Sequence, residues 1–154
     1  QDPFGKAHWP LKKGRDGCRT PMPWQAAASS AGFTNAVPWL PLDIAHRALA
    51  VDVQERDPSS TLALTRTLLA LRRQHAALRL GSFEVERVDE SLLTVRRQHR
   101  DDALGLAFNL GADARQVPAP KGAREAILAL QSARVQGAHV DLPSHSAVFL
   151  QLAP

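Results

Sequence analysis

The 154-residue chain holds one cysteine, Cys18, one methionine, Met22, and no tyrosine. A single cysteine excludes an internal disulfide framework. No run of ~18 apolar residues occurs, which excludes a helical membrane span, and no membrane partner is expected. The six histidines (His8, His46, His75, His99, His139 and His145) show no metal-ligand spacing. Their nearest approach to a cluster, His139–His145 with Asp141 between, reads as a surface loop, so neither a metal nor a cofactor is expected. Acidic residues are outnumbered, 15 Asp+Glu against 19 Lys+Arg, for a formal charge of +4 and a pI of about 10.0. The excess is scattered, with two small knots at Lys12-Lys13-Arg15 and Arg96-Arg97-Arg100. Aromatics are 5% and none interleaves with those knots as a stacking platform would, so a nucleic-acid partner is not expected. No initiator methionine or signal peptide is visible ahead of Gln1. The sequence reads as a piece of a longer protein, with a cytoplasmic location as the default.

What is present is ordinary for a globular protein, with 44% hydrophobic and 22% charged residues, enough to bury a core. Residues 1–58 carry Pro3, Pro10, Pro21, Pro23, Pro38, Pro41 and Pro58, which argue against long helices and central strands. Trp9, Trp24, Phe33 and Trp39 nevertheless need burial. The region therefore reads as packing for a scaffold outside this chain. Residues 58–78 predict a helix: Asp57 suits the N-cap and Pro58 the first helical position. Leu64, Leu68 and Leu71 form its stripe, widened by Leu62 and Leu69, and Gly81 is its stop. Beyond it the period shortens. Phe83–Val88 alternates like a half-buried strand, and Leu92–Arg97 and Ala103–Leu110 follow. Further strands are expected near Arg115–Val117, Ala126–Leu130 and Ser146–Leu152. Asp101 and Asp102 read as a hairpin turn. The series predicts a small antiparallel sandwich.

The most informative stretch is Gly14-Arg15-Asp16-Gly17-Cys18-Arg19-Thr20-Pro21-Met22-Pro23-Trp24. Two arginines flank an aspartate, then comes a proline-fixed turn and a tryptophan. Arginine forks bind paired oxygens, so Arg15 and Arg19 can orient a carboxylate or neighbouring hydroxyls. Asp16 is placed to hold one arginine, and Trp24 to pack the turn or face a ring. A rigid Arg–Asp knot around a core tryptophan accounts for the same residues without a ligand. Cys18 lies beside two arginines, but no acid or histidine stands at a spacing that would make it a nucleophile.

This stretch resembles the signature near the end of the catalytic barrel in α-glucosidases of the α-amylase superfamily (glycoside hydrolase family 13), the oligo-1,6-glucosidase branch above all. Gln1-Asp2-Pro3-Phe4-Gly5, Trp9-Pro10, Ala31-Gly32-Phe33 and Pro38-Trp39-Leu40-Pro41 are similar to flanking elements of that family. Asp57-Pro58-Ser59-Ser60 with Leu71-Arg72-Arg73 resembles the helix that closes the barrel.

The resemblance implies an α+β chain: residues 1–80 as the tail of a (β/α)8 barrel, and 81–154 as a C-terminal β-sandwich. It implies retaining hydrolysis of terminal α-linked glucose from oligosaccharides or sucrose-like glucosides, with an α-glucoside as substrate and the missing N-terminal barrel portion as structural partner. The nucleophile, acid/base and third carboxylate of the family lie upstream, so no catalytic residue is assigned here, and the chain alone is expected to be inactive. Arg15 resembles the residue at the closed end of the glucose pocket. Arg19 is a second candidate contact, and Asp16 and Trp24 are supports. The alternative is a non-catalytic β-sandwich binding module. Against it, Phe83, Phe108 and Phe149 are expected at inward strand positions.

Overall fold

The computed structural model describes residues 1–153. Its contacts divide the chain into two units, Gln1–Leu68 and the chain from Leu69 onward, and the division falls inside a helix. In the first unit regular structure comes in short pieces, as the prolines dictate. Helix α1 spans Pro3–His8, with Pro3 in its first turn, where a missing N–H costs nothing. Three 3-10 turns follow, at Asp16–Cys18, Ser29–Gly32 and Ile44–Leu49, and then a single helical turn, α2, at Val51–Gln54.

Helix α3 covers Thr61–Gln74. It starts later than Asp57 and Pro58 suggest. The Asp57 carboxylate is taken by the N–H and hydroxyl of Ser59, at 2.8 and 2.6 Å. The cap is Ser60, whose Oγ accepts from the N–H of Ala63 at 3.2 Å and donates to the Gln54 carbonyl at 2.7 Å. Leu62, Leu64, Leu68 and Leu71 are buried or half-buried as the stripe requires, whereas Leu69 is exposed. The helix stops at Gln74, short of Gly81. A separate turn, α4 (Ala77–Leu80), begins where the Asp102 carboxylate receives the N–H of Ala77 at 2.8 Å. Gly81 ends that turn instead, its N–H donating to Ala77 O.

Among the described residues the second unit carries eight strands: β1 (Glu84–Val88), β2 (Leu92–His99), β3 (Asp102–Asn109), β4 (Arg115–Pro118), β5 (Ala123–Leu130), β6 (Arg134–Gln136), β7 (His139–Leu142) and β8 (Ser146–Leu152). All pairings are antiparallel, in a five-stranded sheet ordered β1-β2-β3-β8-β5 and a three-stranded sheet ordered β4-β7-β6. Leu92, Ala107, Val148, Leu150 and Leu152 of the larger sheet meet Val117, Val140 and Leu142 of the smaller one in a common core. Ala103–Ala107 is buried at every residue, so both faces of β3 are covered. Gly105 admits the close approach of Pro120: a Cβ there would lie 2.9 Å from Pro120 Cγ.

Three expectations change. β1, an edge strand paired with β2, is exposed along its whole length. Phe83, expected to point inward, is 65% exposed with Arg97 stacked over its ring, while Phe149 is buried and meets Phe108 edge-on at 5.8 Å. The segment expected as a loop at His139–His145 contains β7, whose Val140 and Leu142 are fully buried. The Asp141 carboxylate accepts from Gln116 Nε2 at 2.8 Å and Arg134 Nε at 3.4 Å, so the carboxyl between the two histidines is held within the smaller sheet.

Candidate functional site

The GRDGCRTPMPW stretch folds back onto α1. Two glycines permit the approach. A Cβ on Gly5 would lie 3.0 Å from the Lys13 carbonyl oxygen and 3.1 Å from Gly14 Cα. Gly14 adopts φ +73°, and a Cβ there would fall 2.7 Å from Asp2 Oδ2. With both side chains absent, the Lys13–Arg15 turn settles directly over Asp2.

The Asp2 side chain is 1% exposed, and it faces both arginines. Oδ2 accepts from the main-chain N–H of Arg15 at 3.0 Å. Oδ1 accepts from Arg15 Nη2 at 3.4 Å and stands 3.8 Å from Arg19 Nη1. Burial pushes the Asp2 carboxyl up, but the Arg15 hydrogen bonds and the two guanidinium charges outweigh it and hold the group below the usual carboxylate range. Asp2 occupies the N-cap position of α1 yet makes no side-chain cap bond, because its carboxylate is turned to Arg15.

Asp16, expected to hold an arginine, does something else. Both its oxygens accept from the N–H of Asp2 at 3.0 Å. It supports the support: Asp16 fixes the backbone of Asp2, and Asp2 fixes Arg15. Sequence reasoning missed Asp2 as the arginine partner, although the quoted Gln1-Asp2-Pro3 element contains it. Twelve residues, helix α1 and an irregular stretch after it, lie between Asp2 and Arg15, and no periodicity marks such a contact.

Arg15 itself is 64% exposed on its side chain, with only Nη2 engaged among the described residues. The remaining N–H donors of the fork are free to meet an oxygen-rich ligand. It lines an open groove of about 600 Å³ together with Phe4, Lys12, Lys13 and Gly14. Arg19 leans on the same carboxylate from further away. Cys18 is exposed, and its thiol donates to the Arg15 carbonyl at 3.0 Å. Trp24 is 48% exposed, so it is no core residue within these contacts. Its main chain is fixed on both sides: its N–H donates to Ala31 O at 2.8 Å, and its carbonyl accepts from the N–H of Asp52 at 3.1 Å. Trp9 and Trp39 are 69% and 78% exposed. Among the described residues no group of three or more His, Cys, Asp or Glu side chains is placed to hold a metal ion. No described helix is long and apolar enough to cross a membrane.

Residues 5–81 match the family model of the α-amylase catalytic domain, and residues 80–149 match a domain of unknown function, DUF3459. A probable α-glucosidase of Rhizobium meliloti (strain 1021) is 38% identical over 154 residues, which is 99% of this chain and 28% of that protein. A probable oligo-1,6-glucosidase of Bacillus subtilis (strain 168) is 36% identical over 99 residues, covering 64% of this chain and 18% of its own length. Among solved structures, the α-glucosyl transfer enzyme XgtA superposes with a TM-score of 0.87 at 45% identity, over 99% of this chain and 29% of that one. Trehalulose synthase MutB from Pseudomonas mesoacidophila MX-45 shares the fold, with a TM-score of 0.81 at 21% identity. The chain thus spans less than a third of the length of these relatives. The end of a catalytic barrel domain, followed by the antiparallel sandwich described above, gives the chain its two parts. On the match of its residues 5–81 to the catalytic-domain model, the chain belongs to the α-amylase family, glycoside hydrolase family 13.

Proposed function

We infer that the protein containing this chain is a retaining α-glucosidase. It removes terminal α-linked glucose from oligosaccharides or sucrose-like glucosides, with this chain contributing the Arg15 loop. The observation that carries the reading is the state of Arg15: anchored at its main chain and one Nη by a buried carboxylate, and otherwise open. A guanidinium so held presents its remaining donors at a fixed place, where the vicinal hydroxyls of a terminal sugar can accept them. Closing one end of the glucose pocket in this way favours chain ends over internal units.

The likeness to a probable α-glucosidase over nearly the whole chain supports this reading. Retaining cleavage requires two carboxyl groups about 5–5.5 Å apart across the scissile bond, one as nucleophile and one as acid/base. On this reading both lie in the barrel portion outside this chain, so residues 1–154 alone are inactive. The exposed Trp9, Trp24 and Trp39 are the surface that the rest of the barrel covers. Retaining cleavage passes through a covalent glucosyl-enzyme on the nucleophilic carboxylate, and the likeness to an α-glucosyl transfer enzyme favours a second course in which the hydroxyl of another molecule replaces water as the acceptor that releases it.

The test is Arg15→Ala in the full-length enzyme, assayed with p-nitrophenyl α-glucoside. Loss of two or three charge-assisted hydrogen bonds lowers kcat/KM by about 100-fold or more. Near-unchanged turnover on short α-glucosides would remove Arg15 from the pocket. Product analysis with and without an added alcohol separates hydrolysis from transfer.

A further inference from the structure

Arg15 is a long side chain, and free in solution it samples many rotamers, so a role in holding substrate requires something that selects one of them. Three observations on residues 1–19 point to the selecting group. A carboxylate with 1% exposure sits beneath Arg15, and burying such a charge is costly unless it is paired and hydrogen-bonded. That carboxylate touches Arg15 at two places, the main-chain N–H and Nη2, so it sets both where the residue starts and where its fork ends. The carboxylate also forgoes the helix cap that its position offers, while its own N–H is clamped by both oxygens of Asp16.

We propose that Asp2 is the positioning residue for the Arg15 guanidinium, with Asp16 fixing Asp2 in turn. Asp2 does not touch substrate; it acts by restricting Arg15 to the rotamer in which its unpaired donors face the groove. Arg19, 3.8 Å from the same oxygen, balances the remaining charge of the carboxylate. The proposal rests on the reading of Arg15 as a substrate contact.

The experiment is a double-mutant cycle in the full-length enzyme, with Asp2→Asn made alone, in the Arg15→Ala background, and alongside Arg15→Ala alone. Asparagine keeps the shape but replaces one acceptor by a donor facing Arg15. Asp2→Asn is expected to lower kcat/KM by about tenfold, mainly through KM, and to have almost no further effect once Arg15 is alanine. A merely structural role would lower the active fraction, and therefore kcat, at constant KM. An Asp2→Asn loss of the same size in both backgrounds overturns the assignment of Asp2 while leaving Arg15 in place. Wild-type kcat/KM in Arg15→Ala itself overturns the reading of Arg15, and the proposal with it. Should Asp2→Asn fail to fold, Asp16→Asn serves, because it leaves the Asp2 carboxylate intact and loosens only the clamp on its N–H. A KM increase of about threefold that vanishes in Arg15→Ala supports the relay, and an unchanged KM overturns it.

Discussion

Asn109 of β3 donates its side-chain amide to the main-chain carbonyl of Leu142 in β7, 3.0 Å away, and so ties the two sheets of the sandwich together. The same amide reaches the carbonyls of Asp113 and Pro143, each at 2.8 Å, and its Oδ1 accepts from the N–H of Gly111 at 3.0 Å. The residue is 1% exposed, yet every polar atom of its side chain is used. Replacing it by alanine strands carbonyls that water reaches poorly. Asn109→Ala is expected to cost about 2–3 kcal/mol, read as a lower urea midpoint at unchanged m-value. A cost below about 0.5 kcal/mol would mean that those carbonyls are solvated after all.

Asp102 supplies a pH dependence. Burial pushes its carboxyl up, but the N–H of Ala77 and the His75 ring, whose Nδ1 lies 3.1 Å from Oδ1, together hold it below the ordinary carboxylate range. A carboxyl lowered in the folded state contributes stability that is complete above its unfolded value, near pH 4, and is lost as pH falls through the folded value. The second unit should therefore weaken below about pH 4, with α4 loosening as its first N–H loses an ionised acceptor. Asp102→Asn removes part of that acid slope. Parallel stability curves for the two proteins between pH 5 and pH 2 would sink the assignment.

Ser60 is a local prediction. Its hydroxyl both caps α3 and satisfies the Gln54 carbonyl. Ser60→Ala should cost about 1–2 kcal/mol in the full-length protein, whereas Asp57→Ala, which only loosens an exposed turn, should cost less. Reversal of that order in thermal melts would return the cap to Asp57.

Much of the fold was legible. β2, β3 and β8 announce themselves as apolar runs long enough to be strands and flanked by turn residues, and the Leu64-Leu68-Leu71 spacing marks α3 without ambiguity. The failures have physical causes. Alternation in Phe83–Val88 correctly signals a strand, but alternation says nothing about whether a second layer exists to cover it. β6 is three exposed residues, too short and too polar to carry a period. The i, i+2 spacing of Val140 and Leu142, just after Gly137 at φ +59°, was a usable sign of β7 that the nearby histidines obscured. Toward the N-terminus, the two arginines stand out in the sequence because the motif that carries them is local. Asp16 was read as able to hold an arginine because it is adjacent in sequence, whereas Asp2, which receives the Arg15 hydrogen bonds, is adjacent only after α1 has folded.

β1 forms one outer edge of the larger sheet, and three of its five residues are charged: Glu84, Glu86 and Arg87. An open strand edge is a template on which another extended chain can add. In a parallel, in-register addition of a second copy, each glutamate would face its own duplicate, and like charges directly opposite are destabilising. The edge thus carries its own protection against fibre-like growth. A change of Glu84 and Glu86 to valine would turn the same strand into a seed for aggregation, with no alteration to the core behind it.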